Sequence, residues 1–176
     1  CGTLSLSSIL SPGTKKMNKE NKLVPGLPSG FEDRWDKKLL LKKKLLKAIE
    51  KNFIKFGAEA LETPSFEISE NIGSFLAEDE ANPMSDVFSF NDGDKSITLR
   101  YDLSSPLARF YAQNNQELPS IFKRYQIQNV FRNEKAGNGR YREFMQADFD
   151  IVGNVNPAQA NAELCNLISS TLFDCG

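Results

Sequence analysis

The residues best suited to chemistry lie in one segment, positions 122–153. Arg132 and Glu134 end a first run of alternating apolar and polar residues, and Arg140 and Arg142 follow in a loop that carries glycines. Guanidinium groups form paired hydrogen bonds with phosphate oxygens, and a glycine-containing loop can fold such groups over a polyphosphate. This spacing therefore predicts a phosphate-binding loop between two strands.

A row of polar side chains follows on the returning run. Alternation over residues 144–153 places Phe144, Gln146, Asp148 and Asp150 on one face of a strand. Two carboxylates and a carboxamide on a partly buried face need partners, and no basic residue lies nearby in sequence. We therefore expect the row to bind a cationic group such as an amine. A hairpin with a charged solvent face explains the same spacing, and the residues alone leave both interpretations open.

The same segment resembles a known motif. The strings FRNE (131–134), GRYREF (139–144) and QADFDIVG (146–153) resemble motif 2 of class II aminoacyl-tRNA synthetases, in the form found in histidyl-tRNA synthetases. The resemblance implies a ligase that uses ATP to activate histidine as histidyl-adenylate. It implies a second step in which histidine is transferred to the 3′-terminal ribose of tRNA(His), and Mg²⁺ that bridges the ATP phosphates.

The resemblance also assigns roles to individual residues. It implies that Arg132 is catalytic and contacts both the α-phosphate of ATP and the carboxylate of histidine. Glu134 would hydrogen-bond the adenine amino group, and Arg140 would reach the distal phosphates. Phe144 would stack on the adenine ring, while Arg142 is expected to support the loop. No residue is assigned as a metal ligand.

A second segment supplies an acidic residue and a hydroxyl. The string TLRYDLSSPLARF (98–110) resembles the part of histidyl-tRNA synthetases that completes the amino-acid pocket. It implies that Asp102 and Ser104 hold the α-amino group of histidine together with Gln146 and Asp150. Many bacterial members have Pro-Glu-Gly-Thr at the four corresponding positions, so the resemblance preserves the acid and the hydroxyl but leaves their depth in the pocket open.

The start of a helix also explains this second segment. Asp102 and Ser104 are residue types that cap helices, so both could serve the fold alone. In that interpretation Ser104 or Ser105 caps a helix that has Pro106 at its first position and continues through Phe110. The two interpretations stay open at this point.

A long helix and a strand precede these segments. Residues 36–56 have apolar side chains at helical spacing, lysines on the other face and Gly57 as a stop, and residues 58–63 read as a strand closed by Pro64. The pair resembles motif 1, which implies a homodimer interface. An ordinary core helix explains the apolar stripe as well. The stripe consists of Leu39, Leu45, Leu46, Ile49, Phe53 and Phe56.

Two further elements complete the predicted fold. Residues 87–90 and 96–102 flank a turn-rich connection, which predicts a β-hairpin. A final helix is predicted to begin at Asn156-Pro157 and to continue through Leu172. Together the elements predict an α+β fold, a class II synthetase-like antiparallel sheet flanked by helices, which is incomplete because the third motif of the class is not found.

Composition narrows the classes of function. The chain has 176 residues, 22 of them basic and 23 acidic, so its net charge of −1 gives no overall attraction to nucleic acid. It contains no histidine, which excludes histidine-based catalysis and histidine-ligated zinc. Its three cysteines lack metal-binding spacing and fit a reducing compartment. No apolar run approaches the roughly 20 residues of a membrane span, so we expect a cytoplasmic protein.

The chain is predicted to have two parts. Residues 1–22 form an N-terminal extension, expected to be disordered with Met17 as the true start, and residues 23–176 form a partial class II catalytic domain. Because the third motif and an anticodon-binding domain are not found, we expect these 176 residues alone not to charge tRNA. Two alternatives stay open: the regulatory subunit of ATP phosphoribosyltransferase, a paralogue that does not charge tRNA, and a non-enzymatic dimerisation module.

Overall fold

The computed structural model of the chain describes residues 24–76 and 87–176. The predicted N-terminal extension, residues 1–22 with Met17, lies outside these ranges. The described part contains the helices α1 (Asp36–Lys55), α2 (Ser69–Leu76), α3 (Ser104–Asn114) and α4 (Pro157–Cys175). Its strands are β1 (Glu59–Ala60), β2 (Phe66–Ile68), β3 (Ser89–Asp92), β4 (Lys95–Leu99), β5 (Ile121–Phe131) and β6 (Glu143–Gly153). None of the helices described is both long and apolar enough to cross a membrane.

The strands form two three-stranded sheets. In one, β5 and β6 pair antiparallel over their whole length, and β1 adds to β5 in parallel. In the other, β4 lies between β2 and β3 and is antiparallel to both, which confirms the predicted hairpin. The predicted α+β class with sheets flanked by helices is confirmed, but the predicted antiparallel arrangement does not extend to β1, which is parallel to β5. β1 can run parallel to β5 because the long connection between them contains the whole second sheet and α3.

The β5–β6 hairpin separates a core face from a polar face. On the core face, Tyr125 and Phe149 are opposite each other, and their ring centroids lie 5.8 and 5.6 Å from the ring of Phe53 on α1. Leu167 of α4 completes this cluster and is 2% exposed. Burial of side chains of this size stabilises the fold by about 2 kcal/mol each. Because strand residues alternate, the other set of side chains on β5 and β6 faces away from α1 and α4.

The end of α1 follows the predicted glycine stop. Gly57 has a φ of +80°, a left-handed conformation that glycine adopts without steric cost. Its N–H donates to the carbonyl of Ile54 at 2.9 Å, and the N–H of Ala58 donates to the carbonyl of Phe53 at 3.2 Å. These bonds satisfy carbonyls at the end of the helix and turn the chain toward β1.

The strand after α1 is shorter than the predicted 58–63. β1 comprises only Glu59–Ala60. Further along, the N–H of Thr63 donates to the side-chain oxygen of Gln128 at 3.1 Å rather than to a neighbouring strand. Pro64 has no N–H to donate. The N–H of Leu61 still donates to the carbonyl of Tyr125 at 2.9 Å, and the pairing ends after it because Thr63 binds a side chain and Pro64 cannot donate.

The apolar stripe of α1 is only partly used in the core. Phe53 is 6% exposed, whereas Leu45 is 43% exposed and the neighbouring Leu40 and Leu41 are 65 and 69% exposed. The other residues of the predicted stripe are half-buried. α4 also exposes large apolar side chains near its end: Ile168, Leu172 and Phe173. Exposed apolar residues of this kind are typical of helices that contact further protein surface.

A buried arginine joins the two sheets at the base of the polar face. Arg100 follows β4 and is 3% exposed. Its guanidinium donates to the carbonyl of Asn129 on β5 at 2.7 Å, to the carbonyl of Thr63 at 2.8 Å and to the side chain of Gln128 at 3.1 Å. All three acceptors are uncharged. The residue thus fixes the second sheet and the segment after β1 against β5.

We expect Arg100→Leu to lower the free energy of unfolding by about 3 kcal/mol. The substitution leaves buried acceptors without donors, and each such group costs roughly 1–3 kcal/mol. Urea unfolding followed by circular dichroism measures the change. Lys55→Leu at the exposed end of α1 is the control, with an expected effect within about 0.5 kcal/mol. Equal midpoints for both variants would contradict this account of the sheet junction.

Candidate functional site

The polar face of the β5–β6 hairpin carries the predicted row. Phe144, Gln146, Asp148 and Asp150 lie at alternate positions of β6, as the sequence predicts. Polar side chains of β5 lie directly opposite the amide and the two carboxylates. The cross-strand pairs are Arg124 with Asp150, Gln126 with Asp148, Gln128 with Gln146, and Val130 with Phe144.

Arg132 lies at the end of this face, between two aromatic rings. Its guanidinium carbon is 4.4 Å from the ring centroid of Tyr101 and 5.1 Å from that of Phe144. Its Nε donates to the carbonyl of Tyr101 at 3.4 Å. The backbone N–H of Arg132 donates to the carbonyl of Arg142 at 2.9 Å, which closes the hairpin below the loop. Cation–π contacts hold a guanidinium in place while leaving its N–H groups available to an anion.

Glu134 and Arg140 form an ion pair beside Arg132. Glu134 also accepts a hydrogen bond from the hydroxyl of Tyr101 at 2.9 Å. The hydrogen bond from Tyr101, followed by the contact with Arg140 and the charge of Arg132, lowers the pKa of Glu134. Glu134 is therefore a carboxylate at neutral pH, able to accept hydrogen bonds. The structure brings all four predicted ATP-binding residues, Arg132, Glu134, Arg140 and Phe144, into one cluster.

Arg142 connects the loop between β5 and β6 to the segment before α1. Its backbone N–H donates to the carbonyl of Gly30 at 2.8 Å, and its guanidinium lies 4.9 Å from the ring centroid of Phe88. Gly30 has a φ of +83°, and a Cβ at this position would lie 2.5 Å from the Cγ of Arg142. Only glycine permits this close approach. These contacts connect the loop to the segment before α1, and the supporting role of Arg142 stays a prediction.

Asp102 caps α3. Its Oδ1 accepts a hydrogen bond from the N–H of Ser105 at 3.0 Å, and α3 begins at Ser104. The prediction that Ser104 or Ser105 caps the helix is wrong, and Pro106 is the third helical residue rather than the first. The carboxylate of Asp102 takes the capping role because it reaches the free N–H groups of the first turn.

Ser104 lies on a different surface from the row of β6. It is exposed and lines a cavity of about 390 Å³ together with Asn71 and Arg109. In the described part of the chain, no hydrogen bond joins Ser104 to Gln146 or Asp150. Its contact with a substrate amine stays a prediction.

Three carboxylates surround one buried guanidinium. Nη2 of Arg124 lies 2.7 Å from Oδ2 of Asp150, and Gln146 donates to Asp148 at 3.0 Å. Burial raises the pKa of Asp148, and this effect outweighs the hydrogen bond from Gln146 and the charge of Arg124, which lower it; the charges of Asp150 and Asp102 also raise it. Burial lowers the pKa of Arg124, whereas Asp150, Asp148 and Asp102 raise it. With all groups ionised, this acidic cluster carries one positive and three negative charges.

Two acceptors of the acidic cluster lack a donor. Oε1 of Gln146 and Oδ2 of Asp150 are buried, and within the described residues no donor approaches them in hydrogen-bonding geometry. The contact between Arg124 and Asp150 is therefore a close ion pair rather than a directed hydrogen bond. Buried acceptors without donors are costly, and a ligand that brings N–H groups removes that cost. The idea that these carboxylates lack a protein cation is wrong for Asp150.

Two further observations concern a metal ion and a second cavity. Among residues 24–76 and 87–176, no group of three or more Asp, Glu, Cys or His side chains is arranged to hold a metal ion. A cavity of about 440 Å³ lies on the opposite, core face, where Ile49, Phe53 and Leu164 contribute to its lining. That cavity is largely apolar, although Asp148 and Asp150 also contribute to its lining.

Sequence reasoning missed two residues that organise the site. Tyr101 reaches Arg132 and Glu134 across 31 and 33 positions of sequence, and nothing local marks it. Arg124 shares a strand face with Gln126 and Gln128, and only the register of β5 against β6 places it opposite Asp150. If the residues of β5 and β6 are paired one by one, starting from the loop that joins the strands, Arg124 falls opposite Asp150.

Curated proteins similar to this chain are histidine–tRNA ligases. The ligase of Pelagibacter ubique (strain HTCC1062) is 80% identical over 160 residues, which cover 91% of this chain and 34% of that protein. The ligase of Methylocella silvestris (strain DSM 15510) is 46% identical over 151 residues, which cover 85% of this chain and 30% of that protein. The chain thus spans about a third of the length of the curated relatives that it matches.

Solved structures and a family profile agree with these relatives. The crystal structure of histidyl-tRNA synthetase from Nostoc sp. PCC 7120 aligns with a TM-score of 0.71 at 27% identity, covering 84% of this chain and 33% of that one. An ATP phosphoribosyltransferase regulatory subunit/histidyl-tRNA synthetase from Bacillus halodurans C aligns with a TM-score of 0.76 over 89% of this chain and 39% of that one, but at 22% identity it supports the fold alone. The profile described as Histidyl-tRNA synthetase matches residues 30–176. The chain therefore belongs to the histidyl-tRNA synthetase family.

Proposed function

We propose that this chain supplies the ATP-binding residues and the amine-binding residues of a histidine–tRNA ligase. The observation that carries the proposal is the polar face of the β5–β6 hairpin. It has an arginine–aromatic cluster at one end and an acidic cluster with donor-free acceptors further along. The dipeptide Tyr101-Asp102 connects them, since Tyr101 contacts Arg132 and Glu134 while the charge of Asp102 acts on Arg124. We propose the complete ligase activity for a protein of the relatives' full length, of which this chain covers about a third.

In the first step, the carboxylate of histidine attacks the α-phosphorus of ATP and pyrophosphate leaves. Negative charge increases on the oxygens around the α-phosphorus, and a fixed guanidinium stabilises that charge. Arg132 suits this role because Tyr101 and Phe144 hold it on both sides. In the second step, a hydroxyl of the 3′-terminal ribose of tRNA(His) attacks the activated carbonyl and AMP leaves. Neither step needs a nucleophilic side chain, so the absence of histidine is no obstacle.

ATP would change the partners of three side chains. Phe144, which lies against Arg132, would stack on the adenine ring, and Glu134 would accept from the adenine amino group. Arg140, which pairs with Glu134 and has a side chain that is 66% exposed, would turn to the distal phosphates. An exposed ion pair is worth little, so this exchange is energetically easy.

The acidic cluster would bind the α-ammonium of histidine. Asp102, Gln146 and Asp150 offer oxygen acceptors, and two of these acceptors are buried without donors. An ammonium brings three N–H donors and one positive charge into a cluster whose ionised groups sum to −2. Ser104 would join this set after a movement of the start of α3. The imidazole of the substrate would be recognised outside these residues.

Mg²⁺ would be held on the phosphate oxygens of ATP. The described residues provide no cluster for direct ligation, and the donors around Arg132 and Arg140 are cationic, which suits an anion rather than a metal. When bound, Mg²⁺ supplies neutralisation of phosphate charge. The protein groups of this site bind and orient the triphosphate.

We also propose a cytoplasmic homodimer that contacts its partner subunit through α1 and β1. The exposed leucines on α1, at positions 40, 41 and 45, support a protein contact there. tRNA(His) is the remaining partner.

Residues 23–176 would then form part of the catalytic domain. The two alternatives, a regulatory subunit and a dimerisation module, do not require the complete ATP cluster.

We expect Tyr101→Phe to raise the KM for ATP by about fivefold and to change the KM for histidine by less than twofold. The lost hydroxyl removes a hydrogen bond that holds Glu134, which is worth about 1 kcal/mol. Tyr111→Phe, on α3, is the matched control. Steady-state pyrophosphate exchange gives both KM values, and a change for histidine alone would show that Tyr101 does not hold Glu134.

The function is tested with a full-length chimera, in which this chain replaces the matching third of the Pelagibacter ubique ligase. Purified chimera is incubated with ATP, Mg²⁺, radiolabelled histidine and a tRNA(His) transcript. We expect acid-precipitable label that depends on ATP and on the transcript. A chimera that folds and binds histidine but leaves the tRNA unlabelled would favour the regulatory paralogue instead.

A further inference from the structure

A completely buried arginine touches both elements of the proposed amine site. The side chain of Arg124 is 0% exposed. Its Nη2 donates to the carbonyl of Leu103 at 3.1 Å and lies 2.7 Å from Oδ2 of Asp150. Its Nη1 donates to Gln126 at 3.2 Å. The first contact is to the residue next to Asp102, and the second is to the opposite strand of the hairpin.

The two elements that Arg124 joins are remote in sequence. The loop before α3 carries Asp102, whereas β6 carries Gln146 and Asp150. An amine that binds all three needs the loop and the strand at a fixed separation. Within the described part of the chain, no hydrogen bond or ion pair joins Asp102 directly to Gln146 or Asp150. One guanidinium thus bridges the loop and the strand.

Charge gives Arg124 a second effect on the acidic cluster. Three carboxylates close together repel one another, and burial already favours the neutral form of Asp148. The charge of Arg124, fixed beside Asp148, lowers the pKa of Asp148 and so favours its ionised form. Nη2 meets the loop carbonyl and Asp150 while Nη1 donates to Gln126, whereas a lysine ammonium has one nitrogen and lacks this planar geometry.

We propose that Arg124 is a positioning residue, which joins the Asp102 loop to β6 and thereby sets the affinity for the amino-acid substrate without touching it. This inference rests on the proposed function, since it concerns the same amine site. It assigns a role in substrate affinity to a buried residue that is far in sequence from Asp102 and Asp150. Among the described residues, Arg124 makes no contact with the ATP cluster around Arg132. A positioning role therefore predicts a change in the KM for histidine rather than in the KM for ATP, whereas a purely structural role would affect both.

The test uses Arg124→Lys in the full-length chimera. We expect the KM for histidine in pyrophosphate exchange to rise at least tenfold, with the KM for ATP within twofold and kcat within threefold. Arg109→Lys is the matched control, because Arg109 forms a bidentate pair with buried Glu67 at 2.7 and 2.8 Å. We expect that control to leave both KM values within twofold. Equal rises for histidine and ATP, or no rise for either, would overturn the proposal.

The pH dependence separates positioning from a general loss of packing. In Arg124→Lys we expect the histidine KM to increase more steeply as pH falls from 8 to 6 than in the unsubstituted chimera, because the carboxylates lose part of their fixed cation. Arg124→Met, which fills the buried volume without charge, should show a larger rise in the histidine KM than Arg124→Lys. A larger rise in the lysine variant would contradict the electrostatic part of the proposal.

Hydrogen–deuterium exchange on the unsubstituted chimera gives an answer even if both variants unfold. Histidinol, which has the amine of histidine but no carboxylate, is the probe. We expect it to protect residues 102–105 and 148–152 together. Protection of only one of these segments would overturn the coupling through Arg124. If the unsubstituted chimera neither binds histidinol nor exchanges pyrophosphate, the proposed function fails, which is distinct from a failure of this inference.

Discussion

Arg132→Ala in the full-length chimera is expected to reduce histidine-dependent pyrophosphate exchange by at least a hundredfold. The substitution removes the guanidinium that Tyr101 and Phe144 hold at the end of the polar face. Loss of one preorganised donor from a transition state typically costs about 3–4 kcal/mol, which corresponds to a factor of roughly 10²–10³. The loss should appear in kcat as well as in kcat/KM, because the charge that Arg132 stabilises is largest in the transition state.

Two controls show whether the effect is chemical. Lys135→Ala removes an exposed cation from the same loop and is expected to reduce exchange by less than twofold. Sedimentation of Arg132→Ala should match that of the unsubstituted chimera, because Arg132 lies on the hairpin and not on α1. A decrease in exchange of less than tenfold, roughly 1.4 kcal/mol, would mean that the guanidinium does not meet the reacting phosphate.

Asp150→Asn is expected to raise the KM for histidine by about 30-fold and to change the KM for ATP by less than threefold. The side chain is 33% exposed although its Oδ2 lies 2.7 Å from Arg124, so we expect it to form a further, direct bond with the substrate ammonium. Hydrogen bonds to charged groups contribute roughly 1.5–3 kcal/mol, which sets the size of the effect. Asp102→Asn should act in the same direction. The double variant should be less than additive because both carboxylates share one ligand charge.

A matched acidic residue tests the specificity of that effect. Glu163→Gln breaks the ion pair with Lys123, which lies outside the acidic cluster, and should leave both KM values within twofold. Comparable increases for histidine and ATP in Asp150→Asn would indicate a folding role through its partner Arg124. An unchanged histidine KM would mean that Asp150 does not bind the substrate and belongs to the charged solvent face of an ordinary hairpin.

Local patterns predicted the elements that frame the site. Alternation predicted β5 and β6, Gly57 predicted the end of α1, and Asn156 caps α4 through bonds to the N–H groups of Ala158 and Gln159. Each of these signals acts within a few residues of chain, so the sequence contains all the information they need.

Long-range pairing explains what the sequence did not predict. The pairing of Arg124 with Asp150 depends on the register of two strands, and the contact of Tyr101 with Glu134 joins the segment after β4 to the segment after β5. The cap of α3 depends on backbone geometry that favours Asp102 over either serine, although all are good capping residues. Tertiary contacts, rather than residue type, decide such cases.

The most direct test of the central claim is amino-acid-dependent ATP–pyrophosphate exchange by the full-length chimera. We expect exchange with histidine and less than about 1% of that exchange when histidinol replaces histidine. Histidinol has no carboxylate to attack the α-phosphorus, although its amine can still occupy the acidic cluster. No exchange above background with histidine, in a chimera that is folded and binds ATP, would contradict the account.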